Sequence, residues 1–389
     1  MTSGVFTRPG WQRVFWGAGS RDQLPDIVAE RPGSRVLILT GRTLHTKTDV
    51  VTSVAERLGS AVVGVFDGTR AHTPIDTVFA AIEAVTATNA DTLLVVGGSS
   101  VIDTSRAVVL ALATGSRTPA QLRRYVIDPN DVTAGKVAEL TAAPLRQLAL
   151  TTTLAASEYS GISGVTHPDE HVKLLYGGQP GLFVDTVVLD PEVTVHTPQD
   201  LWLSGGIKIL DNATEVVCSS SPTPISTTLA LETLRVLPDS LRHTQRDPND
   251  LQARLAGQLA AWHAIFAPHN VWAGVGAALR HQLGARYDIV HGYASTILTP
   301  HVLEYNLPAT AAVQRRIAQA LGGPDAGSAA DEFRAVVRGL GLPSRLRDVA
   351  VPREDLGLIA QDALLQFVAT RNPVPPTADG LRELLERAW

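Results

Sequence analysis

Short unbroken runs of apolar residues alternate with amphipathic stretches through the first half of the chain. Residues 35–40, 61–66, 92–96 and 147–151 are such runs, the first bounded by Gly33-Ser34 and Gly41. They read as strands buried on both faces. Between them, residues 46–58 and 75–89 have apolar positions at helical spacing, with Val78, Ile82 and Val85 on one side of the second stretch. Strands alternating with helices predict a parallel sheet joined by right-handed crossovers, a Rossmann-like α/β domain. The pattern changes near Pro191. From Gln199 onward, residues 229–237, 251–266, 313–321, 329–340, 356–367 and 379–389 all carry helical periodicity, and no run of strands follows. Pro308 and the Gly322-Gly323-Pro324 turn are expected to break helices. The reading is an α/β domain over residues 1–192 and an all-helical domain over 193–389. Residues 116–143 are less regular and read as a surface excursion of the first domain.

A chain of 389 residues is too long for one ordinary core, which agrees with two domains. Charged residues make up 18% and the net charge is -5, with no Lys/Arg run, so a nucleic-acid surface is not expected. Cys218 is the only cysteine, which rules out an intrachain disulfide and a cysteine zinc cluster. No stretch is apolar for long enough to span a bilayer, and the first residues do not pair a basic segment with an apolar one. The expectation is a cytoplasmic protein without membrane partners.

Four segments carry candidate chemistry. In Val95-Val-Gly-Gly-Ser-Ser-Val-Ile-Asp103 a buried run enters a glycine turn and then a helix. Such a turn lets backbone approach a phosphate at the helix start, although glycine turns also occur without ligands. Thr151-Thr-Thr-Leu-Ala-Ala-Ser-Glu158 follows a strand on the edge where parallel sheets bind ligands. Its hydroxyls suit ribose or amide groups, or simply cap a helix. In residues 204–215, Lys208, Asn212 and Glu215 fall at i, i+4 and i+7 and share one helix face, which is either a solvated stripe or a site. His281, His291 and His301 are ten residues apart, a spacing that by itself indicates no metal site.

Taken in order, these segments resemble the iron-containing alcohol dehydrogenase family, and its maleylacetate reductase branch most. The likeness starts at Phe15-Trp-Gly-Ala-Gly-Ser20, similar to the family's "FGxGs", and includes Val65-Phe-Asp-Gly-Thr-Arg-Ala-His-Thr-Pro74. Gly97-Gly-Ser-Ser-Val-Ile-Asp103 resembles GGGSxxD with Ser99 for the third glycine. Residues 151–158 resemble PTTxxGSE with Thr151 for proline and Ala156 for glycine. Lys173 with Asp190-Pro191, His291-Gly…Leu298-Thr-Pro-His301…Tyr305-Asn306, Asn372-Pro373 and Ala388-Trp389 continue the likeness to the end. It implies the two-domain fold shared with dehydroquinate synthase and a nicotinamide cofactor held in a cleft between the domains. Gly97, Gly98, Ser99 and Ser100 would take the pyrophosphate. Asp103, Thr151, Thr152 and Lys173 would lie near phosphate, ribose or nicotinamide. Where relatives carry an acid for the adenosine ribose, this chain has Gly41 and Arg42, so NAD and NADP both stay open. The resemblance also implies a homodimer, with residues 6–16 as a candidate edge strand.

The departure is at the metal. Against "GmDALxHaiE", Lys208 stands at the aspartate ligand and Asn212 at the first histidine. Against "AHxLGa", Arg280 stands at the alanine, His281 at its histidine, and Ala277 at the second ligand; His291 alone remains. Reaching Asp211 by a one-residue shift would turn it about 100° around the helix. A lysine ammonium is a cation where a ligand is needed, so no catalytic metal is expected. The reading is an oxidoreductase in which Lys208 supplies the charge to the substrate oxygen, with Asn212 beside it and His281 and His291 as a proton relay. A cationic pocket suits a small-molecule or peptide-terminal substrate bearing a carboxylate. Two alternatives stay open: oxidation of a β-hydroxy acid with loss of CO₂, and a cofactor- or partner-binding homologue without turnover.

Overall fold

The structure, a computed structural model, describes residues 12–127, 144–170, 172–177, 180–266, 271, 273–323 and 327–389. The described residues divide into two compact units, 12–197 and 198–389.

The first unit is built on a parallel sheet. Its strands are β1 (Arg13–Trp16), β2 (Val36–Gly41), β3 (Val62–Thr69), β4 (Thr92–Gly97), β5 (Arg146–Thr151) and, after a hairpin, β8 (Thr186–Leu189). They lie in the order β1-β8-β5-β4-β2-β3. Strands β4, β5 and β8 are buried at every position, as central strands covered on both faces are. The hairpin, β6 (Ile162–His167) with β7 (Val172–Gly177), is antiparallel and separate. Helices α1 (Leu24–Ala29), α2 (Arg42–Lys47), α3 (Val50–Leu58), α4 (Ile75–Thr88), α5 (Ser99–Thr114), α6 (Pro119–Leu122) and α7 (Pro191–Thr194) complete the unit. Ile38, Leu94, Val96, Leu148 and Leu150 of the sheet form one core with Ile27 of α1 and Val51, Val54 and Leu58 of α3. Burying each such side chain is worth roughly 1.5–3 kcal/mol.

Two expectations need adjustment here. The single helix over 46–58 is two helices, because Thr48 is extended at φ -136, ψ 165. Its hydroxyl donates to the Leu44 carbonyl at 2.6 Å and accepts the Val50 N–H at 3.4 Å, so it ends one helix and opens the next. The strands β1, β6, β7 and β8 also lie outside the predicted set. The hairpin strands mix Ser, Thr, His and Lys with apolar residues and so show no run. Of the excursion over 116–143, residues 128–143 lie outside the described residues, as do residues 6–11 of the proposed edge strand; β1 does lie at the sheet edge, paired only with β8.

The second unit contains α8 (Gln199–Cys218), α9 (Pro224–Arg246), α10 (Leu251–Phe266), α11 (Val275–Tyr287), α12 (His291–Ala320), α13 (Ala329–Gly339), α14 (Leu356–Leu364) and α15 (Ala378–Ala388). Its core joins Leu279 and Leu283 of α11, Ile297 and Leu298 of α12, Ile359 of α14 and Leu384 of α15. The break expected at Pro308 does not occur: α12 runs through Pro300 and Pro308 for 30 residues. A proline inside a helix costs about 3 kcal/mol by removing an N–H and crowding the preceding turn. Burial of Pro300, Val302 and Leu303 offsets that cost, and Gln314 Nε2 donates to the Leu303 carbonyl at 2.7 Å. Among the described residues, no helix is long and apolar enough to cross a membrane.

Candidate functional site

The sheet reverses its winding between β2 and β4. The chain leaves β2 for β3 on one side and returns with β4 on the other. Ligands of open parallel sheets bind beyond the carboxyl ends of such strands. Those ends are Gly41 with Arg42, and Gly97 with Gly98, Ser99 and Ser100; Thr151, paired with Gly97, ends the next strand. Gly97 has φ +152, and a Cβ there would lie 2.7 Å from Val101 Cγ2. A Cβ on Gly98 would lie 2.8 Å from Thr153 Oγ1. Both positions thus keep bare backbone at the mouth of α5. Gly98 caps α5 with no side-chain acceptor, so Ser99 and Ser100 present the first-turn N–H groups that a helix cannot pair internally. The hydroxyls of Thr40 and Thr151 are buried without a hydrogen-bond partner, and Thr152 N–H donates to the Gly97 carbonyl at 3.1 Å. A dinucleotide fits this edge: backbone for the pyrophosphate, a helix dipole behind it, and unsatisfied hydroxyls beside it.

The loop that ends the family-like segment 65–74 borders this edge. His72 and Thr73 are both left-handed, at φ 62 and 53. His72 N–H donates to Ser100 Oγ at 3.1 Å, and the Thr73 hydroxyl donates to the Ser100 carbonyl at 3.2 Å. Two adjacent non-glycine residues in this region are rare and persist only when their surroundings hold them. Ala156, at the family motif's glycine, keeps the left-handed conformation a glycine would take, at φ 57.

Asp103 faces inward. Its carboxylate accepts from Arg106 Nη1 at 3.3 Å and from Ser157 Oγ at 3.1 Å. Burial pushes this carboxyl up, while the charges of Arg106 and then Lys173 pull it down. Arg106 is itself fully buried and donates to the Ser157 and Ile162 carbonyls. Asp103 therefore anchors the loop after β5, with the exposed Lys173 of β7 near enough to act on its charge. At the other end of the edge, an acid does stand beside Arg42. Asp67 of β3 lies 3.7 Å from Arg42 Nη2 and 3.1 Å from His45 Nδ1. The His45 hydrogen bond, before the charge of Arg42, holds the Asp67 carboxyl below the usual carboxylate range. No sequence signal placed Asp67 here, because it comes from a neighbouring strand.

In the helical unit, α8 is buried along most of its length but half-buried at Gly205, Lys208, Asn212, Glu215 and Ser219. That stripe contains the three polar residues the spacing placed together. Helix α12 starts against it: a Cβ on Gly292 would lie 2.5 Å from the Ser204 carbonyl oxygen. His291 is the first residue of α12, and Lys208 is one turn along α8 from that contact. His281 of α11 and His291 stand edge to face, with ring centroids 6.0 Å apart. His281 Nδ1 lies 2.8 Å from Gln366 Oε1. With the amide oxygen as acceptor, His281 would carry a proton on Nδ1. The sequence did not reveal Gln366 as a partner of His281, since it follows α14 at a distance of 85 residues. His301 stays apart. It lies ten residues, about 15 Å, along α12 from His291, and faces Glu304 at 3.4 Å. Burial, and then the charge of Arg334, lowers its pKa.

Asp211 points away from the stripe into the protein. It pairs with Arg280 and accepts from Ser295 Oγ at 2.7 Å, while Arg280 Nη2 also donates to Glu215 Oε2 at 3.0 Å. Burial pushes the Asp211 carboxyl up, to about 6, against the pull of Arg280. Asp211 is thus committed to an arginine. Among the described residues, no group of three or more His, Cys, Asp or Glu side chains is placed to hold a metal ion. Lys208, Asn212, Ala277 and His291, at the ligand positions of the family signature, offer one good nitrogen donor. That donor set does not fit iron or zinc, which take at least three such ligands.

A doubly wound sheet with a bare glycine edge, followed by a helical unit with Lys208 on a half-buried polar stripe, is the arrangement of a two-domain, nicotinamide-dependent oxidoreductase. The chain belongs to the iron-containing alcohol dehydrogenase family. The family's N-terminal profile, "Iron-containing alcohol dehydrogenase", matches residues 12–191, and "Fe-containing alcohol dehydrogenase family, C-terminal" matches residues 202–389. A maleylacetate reductase of Burkholderia cepacia is 29% identical over 377 residues, 97% of this chain and 95% of that protein. The lactaldehyde reductase of Escherichia coli is 26% identical over 388 residues, 97% of this chain and 98% of that protein. The crystal structure of maleylacetate reductase from Agrobacterium tumefaciens superposes with a TM-score of 0.82 at 26% identity, covering 100% of this chain and 99% of that one. The protein is accordingly an NAD(P)-dependent oxidoreductase acting on CH–OH or C=O groups.

Proposed function

We propose that this enzyme works without a catalytic metal and acts on a small alcohol or carbonyl compound that carries a carboxylate. The observation that supports this is Lys208: a half-buried ammonium on α8, at the family's aspartate ligand, in a donor set unsuited to a metal. When bound, the nicotinamide coenzyme supplies or accepts the hydride. Lys208 donates a hydrogen bond to the substrate oxygen and stabilises the charge that develops there. Asn212, one turn on, orients that oxygen by its amide. His281, held by Gln366, and His291 beside it exchange the accompanying proton with solvent. A substrate carboxylate offsets the positive charge of Lys208, which a neutral alcohol would not. The test is turnover by the full chain after exhaustive chelation, with a panel of keto acids and matched neutral aldehydes. Retained activity and a preference for the acids are expected. Loss of activity on chelation, with return on adding iron or zinc, would refute the proposal.

The choice between NAD and NADP rests on Arg42. It is exposed and free to meet a 2′-phosphate, but Asp67 shares its charge at 3.7 Å. Asp67→Ala is expected to release Arg42 and shift the ratio of kcat/KM for NADPH over NADH upward by roughly tenfold, one charge-assisted hydrogen bond's worth. An unchanged ratio would remove Arg42 and Asp67 from coenzyme selection.

A further inference from the structure

Three helices of the second unit meet at one buried guanidinium. Arg280 of α11 is clamped between Asp211 and Glu215 of α8, and Asp211 also accepts from Ser295 of α12. Asp211 is 1% exposed and Arg280 7%. The ligand positions of the family signature fall on the same three helices: 208 and 212 on α8, 277 on α11 and 291 on α12. Side chains on a helix lean toward its N-terminus, so the head of Arg280 reaches back along α11. A Cβ on Gly276 would lie 3.4 Å from Arg280 Nη1 and 2.8 Å from Glu215 Oε1, and Ala277 N–H donates to that same oxygen at 3.0 Å. The positive charge therefore sits beside residue 277, where the signature has a histidine ligand, and Arg280 itself stands where the signature has alanine.

We infer that Arg280 is a built-in cation that ties α8, α11 and α12 together at the junction where relatives would be tied by a bound metal. A metal held by the signature's residues would cross-link these helices. Arginine suits this role because its rigid fork directs Nη1 to Asp211 and Nη2 to Glu215, a fixed geometry that a lysine ammonium does not provide. The balance of charge is uneven: one guanidinium serves two buried acids. Removing the arginine leaves both acids unpaired, whereas neutralising Asp211 leaves Arg280 matched by Glu215 alone. The inference shares with the proposed function the view that the metal has been replaced, but it concerns the cohesion of the helices and not turnover, so the two fail separately.

Thermal unfolding of the full chain tests it. Arg280→Met is expected to lower Tm by roughly 10 °C, and Asp211→Asn by less than about 3 °C. The triple variant Arg280→Met/Asp211→Asn/Glu215→Gln, with no buried charge left, is expected to regain most of the loss and to fold even where Arg280→Met alone does not accumulate. Excess EDTA or zinc sulfate is expected to leave the wild-type Tm unchanged. The inference is overturned by equal losses for Arg280→Met and Asp211→Asn, by a triple variant that melts as low as Arg280→Met or does not fold, or by a wild-type Tm that falls several degrees on chelation and recovers with zinc.

Discussion

Replacing Lys208 with methionine is expected to lower kcat by about 10²- to 10³-fold, while coenzyme affinity stays within about twofold. Methionine keeps the apolar stem of the side chain and removes the ammonium. The nearby acids of α8, Asp211 and Glu215, are both held by Arg280. Arg280 thus remains to neutralise them in the variant, and the helix is expected to stay folded. The loss should appear in kcat and kcat/KM together, the signature of a contact made in the transition state. Lys208→Arg should recover part of the rate, because it restores a cationic donor with different reach. Coenzyme binding by fluorescence titration, with turnover on the best substrate found, separates the two effects. Full turnover by Lys208→Met with coenzyme bound would show that Lys208 is not the electrophile. Loss of coenzyme binding would show that its role is structural.

The sequence was most informative where a physical pattern is local. The strands β2, β4 and β5 are buried on both faces and so appear as apolar runs. The Gly97-Gly98 turn is visible because only glycine suits its backbone and close contacts. The α8 stripe was legible from spacing alone, since residues i, i+4 and i+7 share a face whatever lies opposite. Features that depend on distant partners were not legible. Asp67 reaches Arg42 from the next strand, and Gln366 reaches His281 from after α14. The Pro308 break failed for the same reason: local cost predicted an end, and packing of a long helix overrode it. The motif likewise did not reveal that the Asp103 carboxylate accepts from Ser157, in the loop after β5, as well as from Arg106.

The two glycines at the mouth of α5 are expected to respond differently to alanine, and the difference tests whether this edge binds the coenzyme. At Gly98 the backbone is extended and open to any residue; the obstacle is the Thr153 side chain, 2.8 and 2.9 Å from a new Cβ. Gly98→Ala should therefore be relieved by Thr153→Ala, which removes both contacting atoms. At Gly97 the obstacle is the backbone. A φ of +152 is strained for any L side chain, and a Cβ would also meet Val101 at 2.7 Å. Strain of about 1–3 kcal/mol and overpacking of similar size would both act there. Gly97→Ala is expected to weaken coenzyme binding by about 100-fold, equivalent to about 2.7 kcal/mol, and Val101→Ala should restore only part of it. The reason lies in how the pyrophosphate would be held: by backbone N–H groups, which any shift of β4's last peptide misaims. Titration of reduced coenzyme against the four variants gives the answer. Full rescue of Gly97→Ala by Val101→Ala would mean that crowding, not backbone conformation, reserves this position for glycine. Unchanged affinity in both single variants would place the coenzyme away from this edge.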